Sequence, residues 1–305
     1  LHRIFDHPTP AAIAAVIGLG GSAEQGPVPV DRSGPLPLSP MQMRLWFIDR
    51  LTPGGPDYLL PVAVRLTGAL DADRLAMALT AVMARHESLR TRFVTAGDQP
   101  VQVIDPPPAV DLPVHDVSAA TDPDAALAAL ARREQTRPFD LARGPLFRPV
   151  LIRRAPGDHV LLATVHHIVF DGWSAGVLLR DLEAAYAGRR FDPPQLPVQY
   201  ADMAVWQNAR LHSDALAGQI DWWRARMADA PAMLDLPADH PRSADRRGGR
   251  LAIRIPSALA DRLAALAREQ GATPFMALLA IFQLVLSRWS GQDDVVVGTP
   301  VAGRG

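Results

Sequence analysis

Cysteine is absent from the 305 residues. Its absence removes disulfides, thiolate nucleophiles and Cys-ligated zinc or iron–sulfur sites together, and agrees with a reducing cytoplasm. Lysine is absent too, so every permanently charged cationic side chain is an arginine. With 31 Lys+Arg against 32 Asp+Glu the net charge is −1; no basic excess is left to track a phosphate backbone, and nucleic acid is not expected as a partner. Long hydrophobic runs are also missing. The longest, near Ala277 to Leu286, is too short and too interrupted to cross a bilayer, and no charged-then-apolar leader precedes it, so no membrane partner is expected. No tandem repeat of solenoid spacing is found. What is present, 48% hydrophobic residues in a chain of this length, suffices for one long globular domain or two ordinary ones.

The chain opens on a short amphipathic helix. Thr9 can cap it, Pro10 suits its first turn, and Ile13, Val16 and Ile17 share one face. Residues 1–17 therefore form one piece, and the Gly-, Pro- and Ser-rich residues 18–35, without periodicity, are expected to be a linker.

Helix and strand patterns then intermingle. Helices are predicted near Met41 to Leu51, from Asp71, from Pro123 to Thr136 and after Ser174; strands near Leu59 to Leu66, Leu89 to Val94, Val101 to Ile104, Leu146 to Arg153 and His159 to His166. In the helix from Asp71, Leu75, Leu79, Val82, Met83 and His86 share one buried face. This makes a mixed α/β lobe over residues 36–190. A proline-bearing crossover leads to a second lobe over 191–305, with helices at Tyr200 to Leu211, Leu216 to Met227, Ser257 to Gln270 and Thr273 to Trp289. A polar stretch at Asp239 to Gly249 and strands at Arg250 to Ile255 and Asp294 to Gly298 complete it. Trp46, Trp206, Trp222, Trp223 and Trp289 are expected to pack in cores.

The most informative stretch is HVLLATVHHIVFDGWS, His159 to Ser174. Val160 to Val165 has the composition of a buried strand, and Asp171 and Gly172 supply a turn before a helix, which puts His166 and His167 at a strand end. Successive strand residues point to opposite faces, so the two imidazoles cannot share a metal while the strand stays regular. One can face a cleft as a general base at neutral pH while its neighbour supports it. Asp171 could orient a histidine or turn away toward an arginine; the spacing leaves both open. Ser174 is expected to cap the helix.

HHIVFDGWS resembles the HHxxxDG motif of the chloramphenicol acetyltransferase-like superfamily, and in particular the condensation domains of nonribosomal peptide synthetases. Four further segments agree in order: LSPMQMRLWFIDRL (Leu38 to Leu51), RHESLRTRF (Arg85 to Phe93), YADMAVWQ (Tyr200 to Gln207) and VVVGTPVAGR (Val295 to Arg304). LHRIFDHPTPAAIAAVI, in turn, resembles the tail of a peptidyl carrier domain, whose phosphopantetheine serine would precede Leu1.

The resemblance implies an α/β fold of two chloramphenicol acetyltransferase-like lobes in a V, the second truncated at its C-terminus, in a piece of a larger synthetase. It implies an acyltransferase that forms an amide between an upstream carrier-bound acyl or peptidyl thioester and the amine of a downstream carrier-bound aminoacyl thioester. Carrier domains and an adjacent adenylation domain are then the partners. The substrates arrive on 4'-phosphopantetheine arms, and no directly bound cofactor or metal is implied. Within the motif, His167 is implied to reach the substrates, His166 and Asp171 to be chiefly structural, and Gly172 to let backbone approach the substrate. Asp171 is expected to pair with Arg85 or Arg90. Heterocyclisation domains would carry aspartates in place of the histidines. Epimerisation domains share the motif but continue differently after it. Condensation-like docking domains that recruit partners tend to lose it, and a free-standing acyltransferase for alcohols or glycolipids would have no carrier-like tail. The opening motif LSPMQMRLW resembles that of the subgroup taking L-configured donors.

Overall fold

The computed structural model describes residues 26–191, 195–211, 216–239 and 251–299. The carrier-like helix, the first part of the expected linker and nearly all of the polar stretch after Asp239 lie outside the described residues. The chain divides into two compact units, one reaching through the helix Tyr200–Leu211 and the other beginning with the helix Ala217–Arg226.

The first unit is built on two sheets. One is antiparallel, β1 (Leu36–Pro37), β4 (Gln99–Ile104) and β3 (Thr91–Ala96) in that spatial order. The other runs β2 (Leu59–Thr67), β7 (Asp158–His166), β6 (Phe147–Ala155) and β5 (Val114–Asp116), with only the β5–β6 pair parallel. Helix α1 (Pro40–Leu51) opens on a reciprocal capping box between Ser39 and Gln42. Helix α2 (Ala72–Arg85) is capped by Asp71 and buries Leu75, Ala78, Leu79, Val82 and Met83 as its periodicity requires. Helix α3 (Pro123–Thr136) starts and stops where its sequence pattern does. Helix α4 (Gly172–Tyr186) packs on α2.

β7 is central and covered on both faces, which is why six consecutive residues, Leu161 to His166, are all buried. Leu161, Ala163 and Val165 enter the main core with Leu79, Val82, Phe93, Leu178 and Leu182, whereas Leu162 joins Val150 and Ile152 under Leu127 and Leu130 of α3. Each fully buried aliphatic side chain contributes roughly 1.5–3 kcal/mol, so the strand end that carries the histidines is among the most firmly anchored backbone of the unit.

Helix α5 (Tyr200–Leu211), assigned by the sequence pattern to the second lobe, belongs to the first. The Tyr200 hydroxyl and Ser39 Oγ lie 2.9 Å apart, Asn208 Nδ2 donates to the Leu38 carbonyl at 2.7 Å, and Ala201, Asp202 and Ala204 are buried. The break therefore falls after α5 rather than at 190/191. The second half of the expected linker is also held. Val30 N–H donates to Asp202 Oδ1 at 2.8 Å, and Arg32 reaches both Asp202 (2.6 Å) and Glu87 (2.9 Å). Composition without apolar periodicity argued for a tether, but ion pairs and the β1 pairing anchor residues 30–37 instead. The stretch expected to begin a strand at Leu89 starts as a 3-10 turn, Glu87–Arg90, and β3 follows it.

In the second unit, α6 (Ala217–Arg226) is followed by α7 (Ser257–Glu269) and α8 (Pro274–Ser290), the last two separated by a bend of 105°. Thr273 caps α8 at its start, and Gly291 ends it with φ of 70°, a left-handed conformation that costs glycine nothing. The strands expected at 250–255 and 294–298 are not formed among the described residues. A strand is defined by its partner, and the described residues of this unit present none there. Leu251 and Ile253 are accordingly 87% and 83% exposed. Trp222, Trp223 and Trp289, expected in cores, are exposed as well. Among the described residues, no single helix is long and apolar enough to cross a membrane.

Candidate active site

The two histidines leave β7 in different directions, as the pleat demands. His166 is the last strand residue, paired with Leu59 of β2, and its N–H donates to the Leu146 carbonyl at 3.0 Å. The His167 N–H donates to the Tyr58 carbonyl at 2.8 Å, after which the chain turns back, Val169 N–H reaching His166 O at 3.1 Å.

His166 is buried, edge-on to Phe139 at 6.4 Å between ring centroids, and its Nδ1 accepts the Ile168 N–H at 3.1 Å. Nδ1 therefore carries no proton. Burial, and secondarily the neighbouring His167, push its pKa down to about 4, so the ring is a neutral structural brace at physiological pH.

His167 is half-buried, and its Nδ1 lies 2.7 Å from the Phe170 carbonyl oxygen. A carbonyl can only accept, so Nδ1 carries the proton. In the neutral ring the lone pair then sits on Nε2. The turn selects a tautomer that can take a proton at Nε2 but cannot donate one there.

Asp171 closes the turn. It is the N-cap of α4: its Oδ1 accepts the Ser174 N–H at 2.8 Å and the Ser174 hydroxyl at 2.6 Å, and the Asp171 N–H reaches back to Ser174 Oγ at 3.2 Å. The cap is thus Asp171, with Ser174 as its partner inside the first turn, rather than Ser174 itself. The two arginines expected beside Asp171 have further contacts of their own. Arg85 Nε is held by Asp181 Oδ2 at 3.0 Å, while Arg90 donates to the Asp105 carbonyl and lies 3.9 Å from Glu87. The α2–α4 contact sets Arg85 against Asp181 on the facing helix. At Gly172 an added Cβ would meet nothing within 4 Å among the described residues, so none of them demands glycine there.

One polar pair was not visible in the sequence. His86 Nε2 lies 2.8 Å from Asp181 Oδ2, beside Arg85, and burial lowers the His86 pKa despite that carboxylate. Its place at the end of the buried α2 face was the available signal; the partner, nearly a hundred residues away, was not.

The structure thus brings His166, His167, Asp171 and Gly172 into one turn. A cavity of about 540 Å³ lined by Phe139, Arg148 and several prolines contains neither histidine; the chemistry of the histidine turn makes that turn the better candidate. Among the described residues, no group of three or more His, Cys, Asp or Glu side chains is placed to hold a metal.

A family model described as the condensation domain matches residues 32–305. A linear gramicidin synthase protein of Brevibacillus parabrevis is 43% identical over 317 residues, an alignment covering 100% of this chain and 4% of that protein. The chain thus spans a small part of the relative's length. Among solved structures, the X-domain in its complex with OxyB from teicoplanin biosynthesis matches with a TM-score of 0.80 and 32% identity, over 89% of this chain and 61% of that one. The four-domain nonribosomal peptide synthetase AB3403, bound to AMP and glycine, matches with a TM-score of 0.78 and 25% identity, over 94% of this chain and 22% of the other.

Proposed function

Because this chain belongs to the condensation-domain family of nonribosomal peptide synthetases, we propose that it joins an upstream carrier-bound acyl or peptidyl thioester to the amine of a downstream carrier-bound aminoacyl thioester. The observation that carries the reading is the His167 tautomer. The amine nitrogen attacks the thioester carbonyl carbon, the tetrahedral adduct collapses with cleavage of the C–S bond, and the upstream carrier thiol leaves. His167 Nε2 accepts a hydrogen bond from the attacking amine, takes its proton as the C–N bond forms, and returns it to the departing sulfur. Before that transfer Nε2 carries no proton to offer an oxyanion; the proton it takes from the amine is the one it can then direct at the adduct before passing it to sulfur. His166 braces the turn, Asp171 and Ser174 fix the start of α4, and Gly172 leaves the backbone uncovered beside the imidazole. Positioning two tethered substrates in register supplies the larger part of the acceleration.

The partners in this reading are an upstream and a downstream carrier domain, an adenylation domain beside them, and the phosphopantetheine arms that bring both thioesters to the site, in the cytoplasm. The test is dipeptide formation between two loaded carriers. His167→Ala should reduce it by roughly a hundredfold or more, the contribution of a positioned acid–base group, while carrier loading is unchanged. Product formed at the unsubstituted rate would remove His167 from the chemistry.

The likeness to the X-domain in a complex with OxyB favours a second reading, a domain that recruits a partner protein. Amide formation by the unsubstituted chain separates the two.

A further inference from the structure

Beside the histidine turn lies a pocket of about 250 Å³ within the first unit. Its wall begins at Val169 and Phe170, and the Phe170 carbonyl is the group that holds His167 Nδ1. The pocket therefore adjoins the turn that carries His167, whose own side chain is not part of the lining. Val177 and Leu178 of α4, Val198 of the crossover and Met203 of α5, with Leu89 and Leu196, add to its apolar surface, and Trp173, 78% exposed, stands at the rim.

Five polar side chains also border it: His86, Ser88, Ser174, Gln199 and Tyr200. Four of them are engaged with protein. His86 faces Asp181, Ser174 faces Asp171, and Tyr200 faces Ser39. Gln199 accepts from the Glu87 N–H and donates to the Arg85 carbonyl. Among the described residues no carboxylate or guanidinium lines the wall, so a charged occupant would lose its hydration without a counter-charge from them. The size is equally restrictive. Pockets for whole small ligands run from about 300 to 1,000 Å³, and this one suits a single side chain rather than a complete molecule.

We propose that this pocket receives the apolar side chain of one of the two aminoacyl thioesters, and that Val177, Val198 and Met203 set which side chains are accepted. The inference rests on the amide-forming reading above. An apolar side chain seated there lies within two residues of the imidazole-bearing turn, so its fit also sets the register of the reacting atoms. A missing methylene in such a pocket is worth about 1–3 kcal/mol, or roughly 10–200-fold in kcat/KM.

The experiment uses the protein carrying this sequence with two loaded carriers. Glycyl, leucyl, phenylalanyl and aspartyl thioesters are varied first on the upstream carrier and then on the downstream one. On one of the two carriers, and not the other, the leucyl-to-glycyl ratio of kcat/KM should be about tenfold or more, with aspartyl poorest. Val177→Phe, which fills the pocket, should lower that ratio by about tenfold. Met203→Ala, which enlarges it, should raise the phenylalanyl-to-leucyl ratio, and guards against a Val177 variant that fails to fold. Indifference to side chain on both carriers, or ratios unmoved in both variants while dipeptide still forms, overturns the pocket assignment alone. No amide from any pair, glycyl included, overturns the amide-forming reading and this inference with it.

Discussion

His166 and His167 are adjacent, yet the fold gives them opposite work. His166 has its Nδ1 occupied as an acceptor and its pKa pushed down to about 4, so protonating it in the folded state is unfavourable. The unfolded chain binds that proton near pH 6.5, so the folded state loses stability as pH falls below that value, and the loss levels off below about pH 4. The full effect amounts to about 3 kcal/mol. His86, whose charged form burial also disfavours, adds in the same direction. Urea unfolding between pH 7 and pH 4 should therefore show a fall in stability that His166→Asn reduces, since an amide oxygen can accept the Ile168 N–H without titrating. An identical pH profile in the variant would show that His166 is not the group responsible. At Asp171 the family resemblance led to a pairing with an arginine; the structure shows a capping box with Ser174. Losing the cap alone costs about 1 kcal/mol. Thermal melts of Asp171→Ala should show at least that destabilisation, with Ser174→Ala displaying a related but smaller effect. Unchanged melting in both would refute the capping role.

At the scale of elements, the segment before β1 behaves as part of the fold. Arg32 bridges Glu87 of the 3-10 turn and Asp202 of α5, and Asp202, only 2% exposed, also accepts from the Val30 and Gln199 N–H groups. Burial alone would raise the Asp202 pKa, but the hydrogen bonds from Arg32, Gln199 and Val30 outweigh it and hold the carboxylate below its usual value. Removing one partner of such a pair leaves a buried charge uncompensated. Arg32→Ala should therefore lower the unfolding free energy by about 3 kcal/mol, and Arg32→Lys should recover only part of it, because an ammonium cannot fork between two carboxylates. Chemical denaturation measures both, and a loss under about 1 kcal/mol in Arg32→Ala would mean the segment is a tether after all. Gln199 and Met203 also line the pocket beside the histidines, so this clasp supports one wall of the candidate site.

On the scale of the whole chain, the second unit exposes a broad apolar surface, including Phe275, Phe282, Leu284 and Trp289 on α8. Contiguous apolar patches promote association. Size-exclusion chromatography with light scattering should show concentration-dependent self-association of this polypeptide, reduced by combining Phe282→Ser with Trp289→Ser; a monomer at all concentrations would contradict it. Much of the architecture was legible beforehand. The α2 face, the bounds of α3, the buried strand β7 and the histidine turn follow from rules that act within a few residues: side-chain periodicity, capping, and the incompatibility of Asp-Gly with a continuing strand. Tertiary structure alone decided the rest. The His167 tautomer depends on where the Phe170 carbonyl lands, the neutrality of His166 on how completely packing excludes water, and the partner of Arg85 on which helix lies opposite. The same holds for the attachment of α5 and for the two unformed strands, since an ion pair, a lobe contact or a β-ladder needs a second segment whose position no local pattern encodes.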